Sequence, residues 1–458
     1  MTGVVAADRV GLEPFVADRV GREPAWLVAM RGEAAARFAE RGLPDRRIED
    51  WKYTNLAALA EIPLAGVRPD NRDVAVSPAR ALQAAGLPGW DGPVAVFIDG
   101  HLAPGASRLG DLPAGVQVAS LSERLSDPAL ADLLRRPQRT DDGLADLLTA
   151  LATDGAVVEV ADHTVSERPL LLLFLSMPGS APAAAHFRNF FWFGKHSRIQ
   201  LAELHATLAS PAVPGPNGPR SEVTSVAHLS HSLGQSQLDE GAVVTHTVLQ
   251  REDPHCVYVG RLQAEVGKDA EWTSNALSLG AGLARWDLHV SLTSEGAGAT
   301  LNGLYLVTDR QHVDFHTTID HAHPRTRSRE LYKGLLDGAA TGVFNGKVVV
   351  REGAVKVVAQ QTNRNLLLSD GAQIHTKPQL EIFADDVKCS HGATIGQLDE
   401  TALFYLRSRG LSADDARRLL LHAFASEVLA SVPEHLSGAL SGSLLERLPV
   451  PGDFQEVS

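Results

Sequence analysis

Cysteine is nearly absent from this chain, whose 458 residues include only Cys256 and Cys389. Two cysteines argue against a disulfide framework. There is also no CxxC pair and no four-ligand spacing that would hold a zinc ion or an iron-sulfur cluster within one chain. If metal-sulfur chemistry takes place on this protein, further ligands must come from elsewhere.

Basic residues are also in short supply, with 42 Lys and Arg against 55 Asp and Glu and a formal net charge of -13. A protein that neutralises nucleic-acid phosphates needs a surplus of positive charge, so this balance argues against a nucleic-acid partner. The N-terminus is interrupted by Asp8, Arg9 and Glu13, and no run of about 18 uncharged apolar residues occurs anywhere. We therefore expect a cytoplasmic protein with no membrane partner.

Aromatic residues make up only 5% of the chain, whereas glycine and proline number 40 and 25. Small side chains and frequent turns favour β structure over a core of large interlocking side chains. The length exceeds what one hydrophobic core usually organises, which predicts either several structural regions or an elongated repeat fold.

The N-terminal part divides into two predicted regions. Residues 1–25 contain a short duplication, at 7–14 and again at 17–24, and are predicted to be a flexible lead-in to which we assign no function. Residues 26–156 are predicted to be a mixed α/β region. Within it, residues 49–54 (EDWKYT) suit a short helix that packs its two aromatic side chains against the body.

Residues 157–397 are predicted to form the β core, because long helical periods give way to short alternating runs. An acid, usually a glycine, and a small residue recur before these runs, at 240–242, 269–270, 295–297, 337–339, 352–354 and 370–372. Glycine permits the positive φ of a sharp corner, and the small residue lets the chain turn inward. Two-residue hairpin loops of the Asn-Gly type are missing, which favours a right-handed parallel β-helix over the alternative, a β-sandwich.

Residues 398–458 are predicted to be a C-terminal helical domain. One helix spans about 399–407 and ends near Gly410, and Ser412 with Asp415 resembles a capping box at the start of the next. This second helix carries a broad apolar face that comprises Ala416, Leu419, Leu420, Ala423, Phe424 and Leu429.

Four histidines lie close together in the β core: His312, His316, His321 and His323. On a strand, His312 and His316 share a face with Asp314, a spacing that a mononuclear metal site could use. This leaves open an alternative function, a metal-dependent β-fold enzyme. The competing interpretation is a set of polar side chains on the outer face of a solenoid.

Several motifs resemble the SufB/SufD family of iron-sulfur cluster assembly scaffolds. The longest is TKPQLEIFADDVKCSHGAT at 376–394, and it is followed by FYLRSRG at 404–410. SRELY at 328–332, FNGKV at 344–348 and EDWKYT at 49–54 extend the resemblance toward the N-terminus. In SufB a cysteine thought to receive sulfur occupies the position of Ala372, so the chain resembles the SufD branch of the family.

The resemblance implies a non-catalytic scaffold subunit of a complex with a SufB-like scaffold and a SufC-like ABC ATPase, with a homodimer as a further option. It implies that His391, Cys389 and His375 lie at the interface where a cluster is assembled, with His391 as the metal ligand. No cofactor would be held stably by this chain alone, only a transient iron-sulfur cluster at the SufB interface. The C-terminal helices would bind the ATPase, and the residues we expect there are Leu406, Arg407, Leu419 and Phe424. The chain has no Gly-x4-Gly-Lys-Ser/Thr loop, so we do not expect it to bind ATP itself.

Overall fold

The computed structural model describes residues 12–65, 76–135, 142–177, 182–208, 214–215, 218–219 and 226–438. It is mainly β, with 43% strand and 23% helix, and its centre is a β-solenoid of about eight turns. The predicted parallel β-helix with an α/β N-terminal region and C-terminal helices is therefore confirmed. Residues 1–11 of the predicted lead-in, and the predicted helical residues after 438, lie outside the described part.

The N-terminal region combines helices with short strands. Its helices are α1 (Leu12–Ala17), α2 (Ala25–Arg41), α3 (Pro78–Ala84), α4 (Pro128–Arg135) and α5 (Gly143–Leu151), and its strands are β1 (Val94–Ile98), β2 (His101–Leu102) and β3 (Val116–Ser120). Arg31 of α2 is 2% exposed and donates hydrogen bonds to the carbonyls of Ala150 and Ala152 at the end of α5. The last carbonyls of a helix have no donor within the helix, so Arg31 satisfies them and holds α2 against α5.

The solenoid strands alternate between two sheets. They are β4 (Ala156–Val160), β5 (Leu170–Ser176), β6 (Ala183–Phe193), β7 (Arg198–Thr207), β10 (His228–Leu238), β11 (Val243–Arg251), β12 (Cys256–Val266), β13 (Glu271–Ser278), β14 (Leu283–Leu292), β15 (Gly298–Val307), β16 (His312–His321), β17 (Arg327–Leu336), β18 (Thr341–Val350), β19 (Val358–Leu367), β20 (Gln373–Ile382) and β21 (Lys388–Gly396). Sheet A has the order β2-β1-β5-β7-β11-β13-β15-β17-β19-β21, and sheet B has the order β20-β18-β16-β14-β12-β10-β6-β4-β3. Two short strands outside both sheets, β8 (Pro214–Gly215) and β9 (Gly218–Pro219), pair with each other.

The predicted corners lie between successive strands. Gly241, between β10 and β11, has a φ of 69°, and Gly296, between β14 and β15, has a φ of 77°. The small residues that follow them, Ala242 and Ala297, are fully buried. These two corners therefore join one sheet to the other by the local geometry that their residues predict, whereas Gly371 has no positive φ and Ala339 is exposed.

The main core lies between the sheets, and both outer faces are partly covered. Leu144 and Leu147 of α5 pack against Val257 and Val259 of β12 on the outside of sheet B. On the outside of sheet A the covering elements include α3 and α7 (Ala413–Leu429), which follows α6 (Glu400–Ser408). No helix in the described ranges is both long enough and apolar enough to cross a membrane.

The two ends of the solenoid differ. At the N-terminal end the antiparallel strands β2 and β3 close sheets A and B. At the other end β21 pairs only with β19, and β20 pairs only with β18, among the strands that the structure describes. The last coil therefore presents two unpaired strand edges, which in proteins are usually covered or paired.

Candidate functional site at the open end of the solenoid

Cys389 and His391 lie on β21 and face the solenoid interior. In the parallel ladder Cys389 is in register with Ala359 and His391 with Gln361. Ala359 and Gln361 are 2% and 1% exposed, so these positions point inward. Because no further coil follows within the described residues, the two β21 side chains lie at the open end of the interior, which we call the mouth. The shared face that their spacing predicts is this inward face.

The Cys389 thiol is half-buried beneath the mouth. It packs on a small apolar cluster that includes Val348, Ala354 and Val357. Burial raises the pKa of Cys389, which keeps the sulfur in the protonated, less reactive form. Cys256 lies in β12 at 1% exposure, and burial followed by the charge of Glu252 raises the pKa of its thiol as well.

His391 is exposed, and its side chain makes no hydrogen bond or ion pair with the residues that the structure describes. Within the same ranges no three His, Cys, Asp or Glu side chains are grouped to hold a metal ion. A neutral imidazole suits iron and zinc alike. A metal ion at His391 would therefore need additional ligands from outside the described residues.

His375 is not brought together with His391 and Cys389. It lies on the outer face of β20, where its ring stacks on Tyr53 with the centroids 4.2 Å apart. Partial burial lowers the pKa of His375, with a smaller effect from the charge of Arg46. The predicted interface histidine is thus a contact between the last coil and the N-terminal region.

The four clustered histidines do not converge either. His312 and His316 lie on the outer face of β16, where Asp314 Oδ1 is 3.0 Å from His316 Nε2. His321 faces inward and hydrogen bonds to Thr326 and Ser328, at 2.8 and 2.9 Å. The geometry thus divides the predicted metal cluster between two faces of the sheet.

Asp314 is the centre of a buried network that the sequence patterns did not predict. Its Oδ2 accepts hydrogen bonds from Arg285 Nη1 at 2.7 Å and from Thr54 Oγ1 at 2.5 Å. Burial alone would raise the pKa of Asp314, but the charges of His316 and Arg285 hold it below its ordinary value. The Arg285 guanidinium also lies 3.8 Å from the ring centroid of Trp51. The sequence signal nearest to this network was the EDWKYT motif. It predicted correctly that Trp51 is buried, but it did not indicate the partners of Asp314.

A polar cleft of about 710 Å³ lies between this N-terminal segment and sheet B. The charged groups in it are largely paired with each other: Arg261 with Asp142 and Asp287, and Lys347 with Glu381. These residues are far apart in sequence, and no local pattern connected them.

Comparisons with known proteins agree with the motifs. Residues 217–424 match the SUF system FeS cluster assembly SufBD core domain, and residues 21–172 match the SufBD protein N-terminal region. An iron-sulfur cluster assembly SufBD family protein of Synechocystis sp. is 34% identical over 409 residues, which cover 89% of this chain and 88% of that protein. The chain belongs to the SufBD family.

Other SufBD relatives match different shares of the chain. The iron-sulfur cluster assembly protein SufD of Escherichia coli is 30% identical over 418 residues, which cover 89% of this chain and 90% of that protein. An iron-sulfur cluster assembly SufBD family protein of Mycobacterium tuberculosis is 36% identical over 207 residues, or 43% of this chain and 52% of that protein. The family resemblance drawn from the motifs is thereby confirmed.

In this SufBD family chain, Ala372 ends the corner that leads into β20 and is 5% exposed. A methyl group there packs at the edge of the main core and offers no sulfur. At this position, where the motif resemblance implies a cysteine in SufB, the chain therefore has a small buried side chain.

The predicted ATPase-binding residues of this SufBD family chain do not all lie on one exposed surface of the C-terminal helices. Leu419 is 47% exposed, Arg407 is exposed, and Leu406 is half-buried. Phe424 instead faces the solenoid, where the Lys333 ammonium lies 4.7 Å from its ring centroid. The most exposed apolar side chains on α6 are Phe404 at 73% and Tyr405 at 54%, which the sequence analysis did not select.

Proposed function

We propose that this SufBD family protein is a non-catalytic scaffold that pairs with a SufB-like scaffold through the open end of its solenoid. The observation that carries the proposal is the last coil. There His391 is exposed between unpaired strand edges, and the described residues provide no set of further metal ligands beside it. A site with one imidazole can work only as part of a shared site. The remaining ligands would come from the partner, and the iron-sulfur cluster would be held there transiently as cargo.

The C-terminal helices are proposed to bind a SufC-like ABC ATPase. Phe404, Tyr405 and Leu419 are exposed apolar side chains on α6 and α7, outside the cluster that packs α7 on sheet A, and together they would form the binding surface. Such a surface on a folded protein typically marks a protein partner. Because α7 is anchored on sheet A through Leu421 and Ala425, force or motion from the ATPase would reach the solenoid through a rigid contact.

Pairing of two copies is the second proposal for the same edges. β20 and β21 carry the same unpaired backbone groups whichever chain covers them, and related scaffolds often have nearly self-complementary interfaces. Sedimentation of the purified chain at micromolar concentration tests this. A dimer that dissociates when a SufB-like partner is added is expected, and a strict monomer would contradict it.

The decisive experiment replaces His391 by Ala in a strain that depends on this machinery. Growth should fail, while pull-down should recover both partners with the variant, because an exposed imidazole adds little to stability. His255→Ala, another exposed histidine, is the matched control and should grow normally. Cys389→Ala should have a smaller effect than His391→Ala. Normal growth of the His391→Ala strain with an intact complex would overturn the proposed role.

A further inference from the structure

Three of the family-like motifs meet behind His391 inside the solenoid. Glu330 comes from SRELY, Gly346 from FNGKV, and His391 from the longest motif. In sheet A, Glu330 of β17 is in register with Gln361 of β19, and Gln361 with His391 of β21. All three side chains point inward, so they form one column that ends at the mouth.

The inner part of the column is a tight hydrogen-bond chain. Glu330 Oε1 accepts from Thr317 Oγ1 at 2.5 Å, and Glu330 Oε2 accepts from Gln361 Nε2 at 2.6 Å. Glu330 is 1% exposed and has no cationic partner among the described side chains. Burial raises its pKa to about 7, although both hydrogen bonds favour the ionised form. Above neutral pH it is therefore an acceptor only.

This arrangement fixes the orientation of the Gln361 amide. A carboxylate can only accept, so Gln361 turns its Nε2 toward Glu330, and its Oε1 is left buried without a partner in the described structure. Gly346, on the facing strand β18, leaves room for the amide, because a Cβ there would come within 2.4 Å of Gln361 Nε2. A buried acceptor without a donor is unfavourable, and the next side chain in its column is His391.

We propose that Gln361, oriented by Glu330, is a positioning residue for His391. Its Oε1 accepts the ring N–H of His391 when the imidazole turns toward the column, and the other ring nitrogen then keeps the lone pair with which it would bind a metal ion. A hydrogen bond on one nitrogen of a histidine ligand sets the tautomer that the other nitrogen presents. This inference rests on the proposed role of His391.

The tautomer of His391 is the quantity to measure. Nitrogen-15 spectra of the full chain labelled at histidine, taken at pH 8.5, report which ring nitrogen carries the proton, and His391→Ala identifies the signal. In Gln361→Leu the ratio of the preferred to the other tautomer should fall about fivefold, because one hydrogen bond contributes about 1 kcal/mol. Gln360→Leu is the matched control, since Gln360 lies on the same strand with its side chain exposed, and it should leave the ratio unchanged.

Two further variants give effects that a purely structural Gln361 would not produce. Glu330→Gln presents a donor to Gln361, so the Gln361 amide should reverse and the preferred tautomer of His391 should change to the other one. Gly346→Ala should displace the amide and repeat the effect of Gln361→Leu without touching Gln361. An unchanged tautomer ratio in Gln361→Leu, or in both other variants if that one does not fold, overturns the proposal.

The role of His391 and the positioning role of Gln361 can be refuted separately. If Gln361 acts through His391, then Gln361→Leu should slow growth in the otherwise unaltered chain. Normal growth of His391→Ala would refute the proposed function, while the tautomer ratio would still decide whether Gln361 orients the ring. Failed growth of His391→Ala together with an unchanged tautomer ratio in Gln361→Leu would instead refute the positioning role and leave the function of His391 standing.

Discussion

Tyr53 lies flat on His375, with ring centroids 4.2 Å apart and the planes inclined by 11°. Beside this stack, Lys377 Nζ is 2.6 Å from Glu49 Oε1. Both contacts join residues 49–54 of the N-terminal region to β20, the last strand of sheet B. A terminal coil has a neighbour on one side only, so it should be the least stable coil unless another element supports it. The N-terminal segment provides that support.

Replacing Tyr53 by Ala should therefore loosen the last coil without unfolding the solenoid. Amide exchange in β20 should become about fivefold faster, because an aromatic stack contributes about 1 kcal/mol. Exchange in β10 to β15 should not change. Arg47→Ala is the control, since Arg47 is exposed and pairs with Asp45 alone among the described residues. Equal exchange of β20 in Tyr53→Ala and the unaltered chain would show that the stack does not support the coil.

The C-terminal helices allow binding and stability to be tested separately. Phe404→Asp and Leu419→Asp should reduce affinity for the ATPase at least about tenfold, and their free energies of unfolding should change by less than about 0.5 kcal/mol. Phe424→Ala should leave the affinity for the ATPase unchanged and lower the free energy of unfolding by about 2 kcal/mol, because the Phe424 ring packs against the solenoid. Titration calorimetry and urea unfolding measure the two quantities. A loss of ATPase affinity in Phe424→Ala alone would contradict this assignment.

The fold was predictable because its signals are local. A corner needs a positive φ and a small inward residue. Neighbouring residues such as Gly296 and Ala297 provide both, so a short stretch of sequence is enough to predict the corner. The shared face of Cys389 and His391 follows from the two-residue period of a strand. By contrast, the partners of Asp314 depend on register between different coils and on a segment more than two hundred residues earlier. No local pattern contains that information, which is why His375 was grouped with His391 although they lie in different sheets.

The two thiols should differ in reactivity. Cys389 is half-buried at the mouth, whereas Cys256 is 1% exposed in the main core. A disulfide reagent at pH 8 should label Cys389 slowly, because burial raises its pKa, and should label Cys256 only after denaturation. A SufB-like partner should protect Cys389 if it covers the mouth. Labelling of one equivalent in native Cys389→Ala would contradict the burial of Cys256.

Asp314 should make the protein sensitive to acid. Asp314→Ala leaves the buried Arg285 short of one partner and should cost about 3 kcal/mol. In the unaltered chain the folded-state pKa of Asp314 is depressed, so its contribution is complete above about pH 4, the unfolded pKa, and is lost as the pH falls. Urea unfolding at pH 7 and pH 3.5 checks this. Loss of the same stability in Asp314→Ala at both pH values would show that folding does not depress the pKa of Asp314.

Glu330 should have the opposite pH dependence. Burial raises its folded-state pKa to about 7, above the value of about 4.5 for an unfolded glutamate, so the folded chain binds the extra proton between these values. Its contribution to stability is therefore greatest below pH 4.5 and is lost as the pH rises through 7. The loss amounts to about 3 kcal/mol at pH 8. Glu330→Gln keeps the shape without the charge and should remove this loss.

The comparison to make is the difference in unfolding free energy between Glu330→Gln and the unaltered chain, measured in urea at pH 5 and at pH 8. Glu330→Gln should be more stable at pH 8 by more than it is at pH 5, because only the unaltered chain must ionise a buried carboxyl. Glu352→Gln, an exposed corner residue, controls for a general charge effect and should show no such difference. Equal differences at the two pH values would mean that Glu330 is ionised throughout. The column behind His391 would then carry a fixed charge, and the orientation of Gln361 would not respond to pH.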